Sequence, residues 1–156
     1  MVRLGLVIAL VVLVLDQLTK WVAVDLLDLG AGPIVVTSFF NLVLVWNRGI
    51  SFGMLDGIGA ITPWLLSGLA IGVVIGLLFW LKQNADPLVA VGLGMVIGGA
   101  IGNVVDRVRY GAVVDFLDFH AAGFHWPAFN IADAGICVGA VLILVDGLLA
   151  PRRQYT

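Results

Sequence analysis

The sequence predicts an all-α membrane protein of four transmembrane helices with a small β-structured segment outside the bilayer, and three observations predict it. Of the 156 residues, 62% are hydrophobic and only 12% charged, whereas soluble domains run at about 45–50% and about 25%. The mean hydropathy of +1.13 places the chain in the same class. Four apolar segments are each long enough, at about 1.5 Å per helical residue, to cross about 30 Å of hydrocarbon. Between the first two lies "IVVTSFFNLVLVWN" (34–47), which is β-branched and aromatic and reads as strand. The length suits one integral membrane domain over 1–156.

The first span covers 4–24. Met1-Val2-Arg3 and the apolar run after it have the outline of a secretory signal peptide. Asp16, Gln17 and Lys20 follow at once, however, and three further spans come later, so it reads as a retained helix. The segment from Asp25 to Gly57 is too polar to span and holds the strand. The second span, 58–81, has no charge, and the third runs over 87–107. Residues 108–129, with Trp126 and Pro127, form a second outer loop, and the fourth span covers 131–150. Pro63 and Pro87 suit first helical turns and Pro151 a stop. Trp21, Trp64 and Trp80 sit near span ends, as interfacial aromatics do. Gly68, Gly72 and Gly76 in span two and Gly94, Gly98 and Gly102 in span three recur every fourth residue, a spacing that lets helices approach closely.

Four antiparallel spans bring the end of the first, the end of the third and the start of the fourth to one side of the membrane. The polar residues follow that geometry: Asp16 and Lys20, then Asn103, Asp106 and Arg107, then Asn130 and Asp133. Counting positive charges does not orient the chain, because Arg3, Lys82, Arg152 and Arg153 balance Lys20, Arg48, Arg107 and Arg109. If the arginines of the polar cluster are functional, the other set marks the cytoplasm and the cluster faces outward. Asp146 belongs to the opposite end and is expected to pair with Arg152 or Arg153.

Ionisable groups inside a membrane cost about 2.5–3.5 kcal/mol each on insertion scales, so several together indicate function. Net charge is −2 and no basic surface suggests nucleic acid. Cys137 is the only cysteine, which excludes an internal disulfide and a cysteine-rich metal site, and it reads as a small packing residue. Four chemistries compete. Asp115 and Asp133 flank the outer loop, and in a poorly hydrated site two adjacent carboxylates hold one proton between them, ready for acid–base hydrolysis of a peptide bond. Against that reading, each aspartate is equally able to cap a helix or pair with an arginine. "GISFG" (49–53) spells G-x-S-x-G around Ser51, but without a clear strand-to-helix elbow or a placed histidine base. Asp115, Asp118, His120 and His125 are metal-ligand types at a spacing that fits no metal motif. A transporter needs polar residues at several depths, while spans two to four have apolar middles.

Taken together, "DQLTKW" (16–21), "NRGISFG" (47–53), "GGAIGNVVDRV" (98–108), "GAVVDF" (111–116) and "FNIAD" (129–133) resemble lipoprotein signal peptidase, or signal peptidase II, in order and spacing over nearly the whole chain. The resemblance implies a bacterial inner-membrane aspartyl endopeptidase with a small periplasmic β-cradle and both termini in the cytoplasm. Such an enzyme cuts just before the lipobox cysteine of a diacylglyceryl-modified prolipoprotein. It would need no metal or cofactor, contact membrane lipid and bind globomycin-type inhibitors; independently of the resemblance, a monomer is expected. Asp115 and Asp133 match the family's catalytic pair. Asn103 and Asn130 match asparagines lining the site, Arg107 an arginine of the binding pocket, and Asn47 and Gly49 the cradle motif bordering the cleft. Ser51 occupies a small-residue position there, which demotes the serine reading. Asp16 and Lys20, four apart on one helix face, are expected to form a supporting ion pair, and Asp106 to pair with a neighbour at the end of span three.

Overall fold

The computed structural model describes residues 1–27, 29–49, 61–83 and 86–149. Four helices form a bundle: α1 (Val2–Trp21), α2 (Thr62–Gln83), α3 (Pro87–Tyr110) and α4 (Ile131–Leu149). All four are long and apolar enough to cross a membrane. A π-helical turn (Val22–Leu26) extends α1, and a 3-10 turn (Leu29–Ala31) leads into the sheet. Residues 50–60, Ser51 and the expected start of the second span among them, and Arg152 and Arg153 with their expected partnership to Asp146 lie outside the described residues.

Helix α3 is the axis of the bundle. Twelve of its residues are buried, against four, five and three on α1, α2 and α4, so the other helices pack around it. Its start is set by Asp86, whose side chain accepts from the backbone of Leu88 at 2.8 Å with Pro87 in the first turn. Its end is set by Gly111, which takes the left-handed conformation (φ 71°) and donates its N–H to the Arg107 carbonyl. The helix runs three residues beyond the expected 107 before that cap.

Glycines let α3 touch its neighbours backbone to backbone. A Cβ on Gly94 would strike the Gly5 carbonyl, on Gly98 the Ala9 carbonyl, and on Gly99 the Ala132 carbonyl of α4. Gly92 and Gly139 are reciprocal: a Cβ on Gly92 would sit 2.8 Å from the other's carbonyl oxygen. The second expected stripe behaves differently. Gly68, Gly72 and Gly76 have nothing within 4 Å of a Cβ, because α2 meets α3 through Val74, Leu77, Leu78 and Leu81 instead. Spacing shows that a helix allows close approach, not that a partner takes it up.

The segment 34–47 is a hairpin rather than one strand: β1 (Ile34–Thr37) and β2 (Phe40–Asn47) pair antiparallel. The expected outer loop is largely strand, with β3 (Val113–Ala121) paired to β2 and β4 (Phe124–His125) folding back on β3. The sheet order is β1-β2-β3-β4. Ala122 and Gly123, both at positive φ (50° and 82°), make the two-residue turn into β4. Phe116 packs with Ala23 and Leu29, which seats the sheet on the end of α1. Trp21, Trp64 and Trp80 remain substantially exposed near helix ends.

Gly98→Leu is expected to cost at least about 1–3 kcal/mol through overpacking against α1, while Gly72→Leu leaves stability nearly unchanged. Thermal unfolding of the two detergent-solubilised variants checks this; equal midpoints would contradict the contact map.

Candidate active site

The polar residues of α1, α3, α4 and the sheet converge where the helices end. Gly102 clears the way first, since a Cβ there would collide with the Asp16 carboxylate. Asp16 is fully buried and binds the backbone N–H of Ala132 on α4 through Oδ1 (2.9 Å) and Lys20 through Oδ2 (2.8 Å). The expected Asp16–Lys20 pair is therefore present, with more attached. Lys20 also meets Asp106 Oδ2 at 2.7 Å and donates to Asn103 Oδ1 at 3.1 Å. Asp106 in turn accepts from the Val114 backbone at 3.1 Å and so ties the end of α3 to β3. Gln17 was not among the residues anticipated from sequence; its amide joins Asp16 (3.1 Å), Asp106 (3.0 Å) and the Gly102 carbonyl (3.3 Å). Its position next to Asp16 in an otherwise apolar helix was the available signal.

Asp115 lies on β3 opposite Val45 of β2. Asn47, two residues further along β2, is on the same face and reaches diagonally to Asp115 Oδ2 at 3.0 Å. A short bridge between Leu117 and Phe129 draws the chain before α4 against β3. Asn130 thereby delivers its amide to Asp115 Oδ1 at 2.7 Å. Asp133 stands in the first turn of α4. Its backbone N–H donates to Asn130 Oδ1 (2.9 Å) and its Oδ2 accepts the Asn130 N–H (3.4 Å), the reciprocal arrangement of a capping box. The helix-cap reading of Asp133 is thus realised, yet its Oδ1 still faces the site and accepts from Asn103 Nδ2 at 2.8 Å.

Three asparagines share one logic. In each, the amide oxygen is claimed by a group that can only donate: the Gly49 N–H for Asn47, the Asp133 N–H for Asn130, the Lys20 ammonium for Asn103. Each amide nitrogen then turns to an aspartate, Asn47 and Asn130 to Asp115 and Asn103 to Asp133.

Asp115 is 2% exposed. Burial, then the negative charge of Asp133, push its carboxyl up to about 7, outweighing the opposing hydrogen bonds from Asn47 and Asn130 and the charge of Lys20. At neutral pH it is substantially protonated.

Among the described residues Arg107 donates only to the Asn103 carbonyl, at 3.4 Å, and its buried Nε has no hydrogen-bond partner. With Asn103 it borders an apolar groove of about 290 Å³ between α2, α3 and α4, lined also by Leu69, Val73 and Ile136. A second cavity of about 270 Å³, lined by Trp126, Pro127, Phe129 and Cys137, also includes Asp133 in its wall.

The four metal-ligand types from the sequence do not assemble. Asp115 and Asp118 are three apart on β3 and point to opposite faces. Asp118 pairs instead with His125 Nδ1 (2.8 Å) and Asn41 (3.0 Å), and His125 stacks on His120. Burial pushes the Asp118 carboxyl up, but these hydrogen bonds outweigh it and hold it below the ordinary value. Among the described residues no three His, Cys, Asp or Glu side chains form a metal-binding group.

A family model described as signal peptidase II matches residues 8–149. The chain belongs to the signal peptidase II family. The lipoprotein signal peptidase of Ralstonia nicotianae is 46% identical over 142 residues, 90% of this chain and 82% of that one. That of Cupriavidus necator is 47% identical over 154 residues, covering 97% and 86%. A bacterial membrane enzyme solved by the in meso method at 2.3 Å resolution superposes with a TM-score of 0.81 at 29% identity, over 97% of this chain and 94% of that one. A second, at 1.9 Å, gives 0.80 at 30% identity over 94% of each. The signal peptidase II fold is therefore this one: four membrane helices and a small antiparallel sheet in a multi-pass membrane peptidase.

Because the Asp115 carboxyl is raised in the folded protein, its contribution to stability is complete below about 4 and is lost as pH climbs to about 7. Wild type is therefore expected to lose stability relative to Asp115→Asn across that window, by at most about 1.4 kcal/mol per pH unit. Unfolding midpoints of both proteins at about pH 5 and about pH 8 measure the gap; an unchanged gap would show that burial does not hold the proton on Asp115.

Proposed function

We propose that the chain is an aspartyl endopeptidase that removes the signal peptide from diacylglyceryl-modified prolipoproteins, cutting just before the lipidated cysteine, with Asp115 and Asp133 as its catalytic pair. The observation that carries this reading is the asymmetry of the two carboxylates. Asp115, buried on β3 and raised to about 7, is the acid. Asp133, half-buried in the first turn of α4 and hydrogen-bonded to the Asn103 amide, is the base.

Asp133 takes a proton from water as the oxygen attacks the scissile carbonyl carbon, and Asp115 gives its proton to the carbonyl oxygen. The resulting tetrahedral diol collapses with the C–N bond breaking. The proton held on Asp133 goes to the leaving amine, and the product carboxyl returns one to Asp115. Arg107, whose Nε has no partner among the described residues, stands beside the groove and holds main-chain carbonyls of the peptide. Two apolar grooves, one bordered by Asn103 and Arg107 and the other by Asp133, suit a substrate that enters from the membrane with a signal helix on one side of the cut and acyl chains on the other. In this reading the membrane is the bacterial inner membrane and the site lies near its periplasmic face. Arg3 and Lys82 then lie on the cytoplasmic side with both termini.

In detergent, with EDTA present throughout and a diacylglyceryl-modified prolipoprotein as substrate, Asp115→Asn and Asp133→Asn are each expected to lose cleavage by about 10³-fold or more. Ser51→Ala should stay near the wild-type rate, and a substrate without the lipid should be cut far more slowly. Wild-type activity in either aspartate variant would end the dyad assignment, and inhibition by EDTA would redirect it to a metal. Arg107→Leu is expected to raise KM about tenfold or more with a smaller effect on kcat; a change confined to kcat would remove Arg107 from peptide binding.

A further inference from the structure

We infer that Lys20 is a positioning residue of the reaction, one that fixes the Asn103 amide so that its NH₂ faces Asp133 and keeps that carboxylate ionised. The inference rests on the aspartyl reading and adds to it a part for the ion cluster behind the site.

The geometry is a matter of counting donors. An ammonium has three protons and no lone pair. Lys20 is 3% exposed and has three oxygens around it: Asp16 Oδ2 at 2.8 Å, Asp106 Oδ2 at 2.7 Å and Asn103 Oδ1 at 3.1 Å. One carboxylate is enough to neutralise the lysine, and the pair with Asp16 on its own helix would support the fold. The third contact is to a neutral amide, and its consequence lies on the other side of that amide. With its oxygen held by a group that cannot accept, Asn103 presents Nδ2 to Asp133 Oδ1 at 2.8 Å. Flipped, it would aim an oxygen at the carboxylate and disfavour the anion.

Among the described residues the other donor to Asn103 Oδ1 is Asn130 Nδ2 at 3.3 Å, and it is shared with Asp115 Oδ1 at 2.7 Å and the Val114 carbonyl at 3.2 Å. It is too divided to hold the orientation alone. Among the described residues the charged groups around the pair are Asp16 and Lys20 on α1 and Asp106 and Arg107 on α3, with Asp115 on β3 and Asp133 on α4. Only Lys20 among them reaches a catalytic carboxylate through an amide whose orientation it sets. Asp16 also accepts the Ala132 N–H, next to Asp133 in the chain, so the same cluster positions the backbone of α4.

The acid limb of the cleavage rate reports protonation of the base. Removing a donor from the Asp133 anion raises the pH at which it protonates, so the limb moves to higher pH. Removing Lys20 alone would leave two buried carboxylates unpaired, so the informative variant combines Lys20→Met with Asp16→Asn and Asp106→Asn, which dissolves the cluster without stranding a charge. A second variant, Asn103→Asp, keeps a partner for Lys20 but offers Asp133 an oxygen.

Steady-state cleavage of the lipidated prolipoprotein is measured from about pH 5 to about pH 9, with Asp115→Asn in parallel. Both variants are expected to move the acid limb of kcat/KM upward by about one pH unit, so that activity lost below the limb is about tenfold greater than that lost above it, with KM changed less than kcat. If the folded triple variant keeps the wild-type limb, Lys20 serves the fold alone and the inference falls. If the triple variant does not fold, Asn103→Asp decides, and a wild-type limb there overturns the inference equally. An active Asp115→Asn would instead overturn the aspartyl reading on which it stands.

Discussion

Everything at the site depends on how closely α3 approaches α1 and α4. Asparagine and aspartate are short, and a direct bond from Asn103 to Asp133 requires the two backbones to be nearly in contact. Gly98 and Gly99 provide that contact on two sides of α3, and Gly102 admits the Asp16 carboxylate one turn later. In a bilayer no hydrophobic effect presses helices together, so close van der Waals packing and interhelical hydrogen bonds must hold them. The glycines permit the first and thereby make the second possible.

The same packing decides where charge can reside. A lone ion among apolar helices would be costly, but Asp16, Lys20 and Asp106 bind one another and also bind backbone at Ala132 and Val114. The cluster therefore fastens α1, α3, α4 and β3 at one level. Above it, the sheet covers Asp115 and removes water from it, while Asp133 keeps a partly open position at a helix start. Burial beneath the sheet thus raises the Asp115 carboxyl, while its counterpart at the helix start keeps a different, partly open setting.

The sheet has a further consequence for the sequence that forms it. On the face of β3 that carries Asp115, the strand receives Asn47 from β2 and Asn130 from the chain before α4. On the other face Phe116 anchors to the end of α1, and Asp118 engages Asn41 and His125. Alternation along the strand keeps these two polar groups apart, so the histidines near the turn do not enter the chemistry of the helix ends.

The sequence by itself determined the four spans, the depth at which the polar residues sit and, through five short motifs, the family. These are local or periodic properties: hydropathy over about 20 residues, a fourfold glycine spacing, an i,i+4 pair. It did not show β3, because aspartate is disfavoured in strands and the first half of that strand is buried on both faces, which erases the alternation a strand is recognised by. Nor did it show which glycine stripe is used, since Gly72 and Gly98 carry the same signal and only one has a neighbour. The orientation of the three asparagines and the proton on Asp115 were decided by tertiary structure. The Asn130–Asp133 cap and the hold of Gly49 on Asn47 are local, within three residues. But the aspartate each asparagine amide reaches, the Lys20 contact to Asn103 and the surface that buries Asp115 come from different elements of the fold, and no window of sequence contains both partners.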